Sequence, residues 1–141
     1  MANGLDFAYA AGLIDGEGCI GVYNQTCPTT KTKTRYSLSV RIQMSDWEAV
    51  LWMENTFGGC YRSHPQLGYG TRIMYEWVLS SKMAGEFLKQ ILPYLKNKKR
   101  QAELAILFQD KRKKGGRKNN AVREAEQILA DAIKREKRRL I

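Results

Sequence analysis

The chain lacks most of what would anchor, export or cross-link it. Nowhere in its 141 residues is there a run of about 18 apolar side chains, so no membrane-spanning helix is expected. The start, Met1-Ala2-Asn3-Gly4-Leu5-Asp6, has neither a basic segment nor a long apolar stretch behind it, so no secretory leader is expected. The cysteines are few: Cys19, Cys27 and Cys60 form an odd set without C-x-x-C spacing. That argues against a disulfide framework and against a zinc site, and for reduced thiols in an intracellular protein. The apolar share, 43%, is that of a globular domain, which excludes global disorder. The length is that of one domain with a real core.

Charge is what the chain has in excess, and the excess is localised. Residues 1–95 hold eight Lys/Arg and eight Asp/Glu, whereas residues 96–141 hold sixteen and six, so the whole net charge of +10 lies in the last third. Such clustering suits a polyanionic partner. A solvated, charge-rich helical tail accounts for the charge equally well.

Periodicity predicts an α+β domain with an antiparallel sheet. A short helix over residues 6–15, with Asp6 as its cap, is apolar nearly all round and should be buried on several sides. Gly16 and Gly18 end it. A strand follows at 19–25, then a loop with Pro28. Residues 36–44 alternate: Tyr36, Leu38, Val40, Ile42 and Met44 face one way, and Ser37, Ser39, Arg41 and Gln43 the other. Ser45-Asp46-Trp47-Glu48 reads as a capping box opening a second helix. A hairpin over 60–63 and 71–79 puts Ile73, Tyr75, Trp77 and Leu79 on a dry face, opposite Arg72, Met74 and Glu76. A third helix starts at Ser80-Ser81 and ends near Pro93, and two more cover about 97–111 and 120–138. We divide the chain into a domain over 1–110 and a basic helical extension over 111–141.

One segment carries chemistry. In Ala10-Ala11-Gly12-Leu13-Ile14-Asp15-Gly16-Glu17-Gly18, together with Ala8, small residues recur at helical spacing, so one face is stripped of bulk. Two such faces can pack backbone against backbone, and Ala8, Ala11, Gly12 and Asp15 are the candidate contact residues. Asp15 and Glu17 stand at the helix C-terminus, where the macrodipole makes negative charge unfavourable. Carboxylates placed there beside free carbonyls want a cation, and hard oxygens select a magnesium-like ion. A bare G-x-G would be no more than a helix stop. The whole block resembles the LAGLIDADG motif, matching it at six of nine positions with Glu17 for the second aspartate.

The resemblance implies a fold, a reaction and a set of residues. The fold is the αββαββα homing-endonuclease domain with a saddle-shaped antiparallel sheet, here with extra C-terminal helices. The reaction is metal-dependent cleavage of both strands of double-stranded DNA at a long pseudo-palindromic site, with Mg2+ or Mn2+. Glu17 would ligate the metal, assisted by the Gly16 carbonyl, and the metal would activate a water and stabilise the leaving oxygen. The segment from Leu92 to Ala102 resembles the family's stretch bearing a basic active-site residue, which falls on Lys98. That lysine would stabilise charge on the phosphate or orient waters. Asp46 matches a polar position that organises active-site water; capping of the second helix is its competing role. A further basic position of some relatives falls on Val50, which thins the basic pocket. No histidine base is needed, and His64 is left to a loop or to DNA contact.

The sheet's polar face would lie in the major groove, with Tyr23, Gln25, Ser37, Ser39, Arg41, Gln43, Arg72 and Glu76 as candidate readers of bases. Lys113 and Lys114, in the basic run 111–118, would hold phosphates. One motif per chain and two strands to cut imply a homodimer. Two rival readings stand beside this one. The same fold serves as an RNA maturase or as a DNA-binding regulator without cleavage, and a small basic RNA-binding module would explain the charge but not the motif.

Overall fold

The computed structural model describes residues 2–26, 34–65, 72–112 and 120–139. The first helix, α1 (Gly4–Glu17), is opened by Asn3, whose side chain accepts from the Asp6 N–H while the Asp6 carboxylate accepts from the Asn3 N–H, both at 3.1 Å. Asp6 is therefore the far partner of a capping box and not the cap expected from the sequence. The elements that follow are β1 (Gly18–Thr26), β2 (Thr34–Met44), α2 (Trp47–Phe57), β3 (Cys60–Pro65), β4 (Ile73–Ser80) and α3 (Ser81–Ile91). A single 3-10 turn (Leu92–Tyr94) then leads to α4 (Lys99–Asp110) and α5 (Asn120–Arg139). The expected αββαββα order is the one observed.

The four strands form one sheet in the order β1-β2-β4-β3, with every neighbouring pair antiparallel. Register decides which side chains share a face. Ile20 lies opposite Val40 and Val40 opposite Leu79, while Ile42 lies opposite Trp77, so the apolar alternation of three strands coincides on one side. There Ile20, Leu38, Val40, Ile42 and Trp77 are fully buried under Ala10, Ala11 and Ile14 of α1, Val50 and Met53 of α2, and Phe87, Leu88 and Ile91 of α3. The Trp77 indole N–H is satisfied by the Gly58 carbonyl at 2.7 Å, which lets so large a ring sit in the core. Ile73, expected on the same dry face, is half exposed because it pairs with Pro65 at the loop end of the hairpin.

The second helix is capped by Asp46, which accepts from the N–H groups of Glu48 (3.1 Å) and Ala49 (3.5 Å), not by Ser45. At the other end of the chain, α5 packs on α4 and β1. Ala130 and Ile133 are its buried stripe, and the Tyr36 hydroxyl donates to Gln127. Among the described residues, no helix is long and apolar enough to cross a membrane.

Candidate active site

The site is built at the end of α1. A Cβ on Gly18 would come within 2.6 Å of the Ile14 Cα and 2.8 Å of its carbonyl oxygen, so only glycine lets β1 leave the helix at this angle. The last turn of a helix leaves carbonyls without helical N–H partners. Here Lys98 Nζ donates to the carbonyl of Asp15 (3.1 Å), to that of Ile14 (2.8 Å), which also accepts from the Gly18 N–H, and to that of Gly18 (2.8 Å) at the start of β1. The Asp15 carboxylate in turn accepts from the N–H groups of Lys96 (2.7 Å), Asn97 (3.2 Å) and Lys98 (3.0 Å). The acid of one segment holds the backbone of the other, and the base does the reverse. This double clasp ties the end of α1 to the start of α4 across more than eighty residues of sequence.

Lys98 as seated has its ammonium turned to the carbonyls at the end of α1. The Asp15 carboxylate, expected on the face toward a second copy, is engaged with backbone N–H groups of its own chain. Ala11 also departs from expectation: it is fully buried in this chain's own core, one helical step away from the exposed positions Ala8 and Gly12. Replacing Asp15 with Ala leaves three backbone donors without their acceptor and should lower stability by about 1–3 kcal/mol, measured by urea unfolding. Asp15→Asn, which keeps one acceptor oxygen, should lose less.

Glu17 stands at the helix terminus with its side chain exposed, next to the exposed Gly16. Beside it opens a cleft of about 480 Å³, lined by Asp15, Gly18, Cys19, Asn97, Lys98, Gln101 and Lys137. Burial is the main influence on Lys98 and lowers its pKa, and Lys137 adds to this; the acids Asp15 and Glu17 and the Cys19 thiol offset part of it. Burial pushes the Cys19 thiol up, but its hydrogen bond with Tyr23 (3.1 Å) and the cations Lys137 and Arg41 outweigh that, leaving it below its ordinary value. Tyr23 moves the opposite way, raised first by burial and then by its bond to Cys19.

Asp46 is elsewhere. It lines a separate shallow groove with Leu5, Asp6, Tyr9 and Trp52, and its oxygen is used to cap α2. Of the two roles its sequence position allows, the structure shows the cap. Val50 is fully buried, so nothing at that position faces the cleft.

The polar face of the sheet continues from the cleft. Pairing places Tyr23 opposite Ser37, and Cys19 opposite Arg41, while Gln43 lies opposite Glu76 and Glu76 opposite Arg62. Arg41 stacks over the Tyr23 ring at 4.8 Å, and the Gln43 amide is hydrogen-bonded to His64 at 3.1 Å. Ser37 is half-buried, with its hydroxyl 3.4 Å from that of Ser81, and Arg72 is exposed just before β4. Ser39 and Glu76 share the face but are each 8% exposed, so their reach toward a ligand is short. The Gln25 side chain, Lys113 and Lys114 lie outside the described residues. His64, expected in a loop or at DNA, stands near the end of β3 on this surface. Arg62 and Lys137 belong to the surface too and were not singled out by the sequence; for Arg62 the signal was there, in the alternation of β3. For Lys137, one cation in a run of them, there was none.

Comparison with known proteins agrees with this geometry. Homing endonuclease I-CvuI, crystallised with its target in 2 mM Ca, superposes with a TM-score of 0.79 at 25% identity, over 94% of this chain and 82% of that one. The archaeal intron-encoded homing endonuclease I-Vdi141I, solved with DNA, gives 0.75 at 18% identity, over 94% and 84%. I-GzeII, a LAGLIDADG homing endonuclease also solved with DNA, gives 0.67 at 17% identity, with 90% of this chain on 43% of that one. No curated protein matches the chain by sequence. The family profile described as LAGLIDADG endonuclease matches residues 10–114, which takes in the motif, all four strands and the Lys98 clasp, and the chain belongs to that family.

Proposed function

We propose that two copies of this chain pair through α1 and use a divalent cation, Mg2+ or Mn2+, to hydrolyse both strands of a long, roughly palindromic DNA site. The observation that carries this is the outward face of α1. Ala8, Gly12 and Gly16 are exposed, and a Cβ at Gly12 or Gly16 would meet nothing within 4 Å. Glycine inside a helix costs about 1 kcal/mol relative to alanine. Nothing in the single chain requires it at either place. A second helix crossing at close range does, and it would bring two copies of Glu17 together. The coverage of I-GzeII points the same way, since one copy of this fold accounts for under half of that chain.

The donor set suits a hard cation. Among the described residues no three His, Cys, Asp or Glu side chains cluster, so Glu17 is a single carboxylate to which water, phosphate and a second chain must add. Magnesium-like ions are commonly held in that way, by one or two carboxylates and substrate oxygens. A bound divalent ion supplies Lewis acidity and an activated water. The chain's own residues do the rest: Glu17 provides the anchoring charge, the Asp15–Lys98 clasp fixes the helix end that carries it, and Tyr23, Arg41, Gln43, Arg62 and His64 offer donors and acceptors to base edges. The protein acts inside the cell, where its thiols stay reduced.

Incubating the protein with a plasmid library of randomised inserts, with and without magnesium, tests the reading. Linear product from a small set of inserts, only when metal is present, is expected. Binding to duplex without any scission would favour the non-cleaving regulator, and preferential binding to structured RNA the maturase.

A further inference from the structure

We propose that His64 decides which end of the Gln43 amide faces DNA. A neutral ring selects adenine at the base pair Gln43 meets, and a protonated ring selects guanine, which makes His64 a positioning residue for specificity. This rests on the reading of the chain as a DNA-binding endonuclease.

An exposed glutamine can present either its oxygen or its nitrogen, so by itself it discriminates poorly between bases. Gln43 is exposed, but its amide is held: the amide nitrogen lies 3.1 Å from the Nε2 of His64. The two residues stand on strands that do not pair, β2 and β3, so their side chains meet across β4. An amide nitrogen donates and never accepts. The ring nitrogen it faces is therefore the acceptor, and the proton of the neutral ring sits on Nδ1. One amide N–H is used in this way. The other N–H and the oxygen are left for a ligand, and that pair matches N7 and the N6 amino group of adenine in the major groove.

A second proton on the ring reverses the arrangement. Both ring nitrogens of a histidinium are donors, so N–H would face N–H, and the amide must turn over to meet the ring with its oxygen. Both amide N–H groups are then free. Two donors suit guanine, whose groove edge carries the acceptors N7 and O6. The other charged or titratable groups of this face are Glu76 of β4, opposite both Gln43 and Arg62, then Arg62 and the Cys60 thiol at alternate positions of β3, Arg41 of β2, Arg72, and Glu17, one residue before Gly18 pairs with Ile42. Among these side-chain types, histidine is the one whose charge ordinarily changes between about pH 5 and 8. His64 is half-buried and is the chain's one histidine, so a switch in that range traces to this ring.

The test is the base preference of the whole protein at two pH values and one salt concentration, read by binding selection from a randomised duplex pool without magnesium, so that no strand is cut. The base pair in question is the one whose preference disappears in Gln43→Ala. There the wild type should favour adenine at about pH 8 and shift toward guanine at about pH 5.5, the ratio of affinities changing by about tenfold. Preferences at the other pairs should not move. His64→Gln, which cannot titrate, should hold one preference at both pH values. A wild-type ratio that stays the same, a shift that persists in His64→Gln, or no pair lost in Gln43→Ala would overturn the assignment. Sequence-selective binding with any of these results rejects only the role of His64. Absence of duplex binding at both pH values rejects the DNA-binding reading and this inference with it.

Discussion

Glu17→Gln should abolish strand scission by the wild-type protein's preferred duplex assay while leaving its affinity for that duplex within a few-fold of normal. The side chain is exposed at the α1 terminus and takes no part in the Asp15–Lys98 clasp, so the substitution removes a charge without disturbing the fold. What is lost is the anionic oxygen that would hold a divalent ion. A metal's contribution to the transition state is several kcal/mol, so the rate should fall by about three powers of ten or more. The thermal midpoint should not fall. Single-turnover cleavage and equilibrium binding, measured on the same preparation, check both halves. A variant that cuts at near wild-type rate in magnesium would remove Glu17 from the site.

Gly12→Leu should have the opposite profile on stability and an equally large effect on activity. In the isolated chain the position opens onto empty space, and leucine is a far better helix former than glycine. The monomer should therefore be as stable as wild type, or more so by up to about 1 kcal/mol. In a close helix pair the same side chain inserts four heavy atoms on each side of the crossing and forces the backbones apart. We expect a folded protein that sediments as a monomer, or associates non-specifically through its apolar face, and that cuts neither strand. A variant that remains a discrete dimer with full activity would contradict pairing through α1.

Much of this molecule could be read in advance, for identifiable physical reasons. Strands β2 and β4 and helices α2 to α5 announce themselves by alternation, by turn residues and by the Gly and Pro breaks that bound them. The motif located the helix end and its exposed acid because helical spacing and the macrodipole are local properties. What could not be read was the answer of distant residues to that helix end. Lys98 donates to the carbonyls of Ile14, Asp15 and Gly18, and Lys137 reaches Cys19 and Tyr23 of β1, through contacts spanning about eighty to 118 positions. Periodicity carries no information at that separation. Residues at the margins of a face were misplaced for a related reason. Ala11 falls on the flank of the small stripe, and whether a flank turns inward depends on how α1 is rolled against the sheet, which spacing alone does not fix. Asp6 and Ser45 were displaced as caps by neighbours, Asn3 and Asp46, with equally suitable side chains.

If each chain brings one acid to a site shared by two, mixed dimers of wild-type and variant chains will show it. Wild-type and Glu17→Gln chains carrying different affinity tags can be co-expressed, the hybrid isolated through both tags, and a supercoiled plasmid bearing the selected insert offered in magnesium. The hybrid should nick the plasmid, because one strand keeps its acid and the other does not, so open circles accumulate without linear product. Linear product from the hybrid at the wild-type rate would mean that a single Glu17 serves both strands, and the paired-acid account would be wrong.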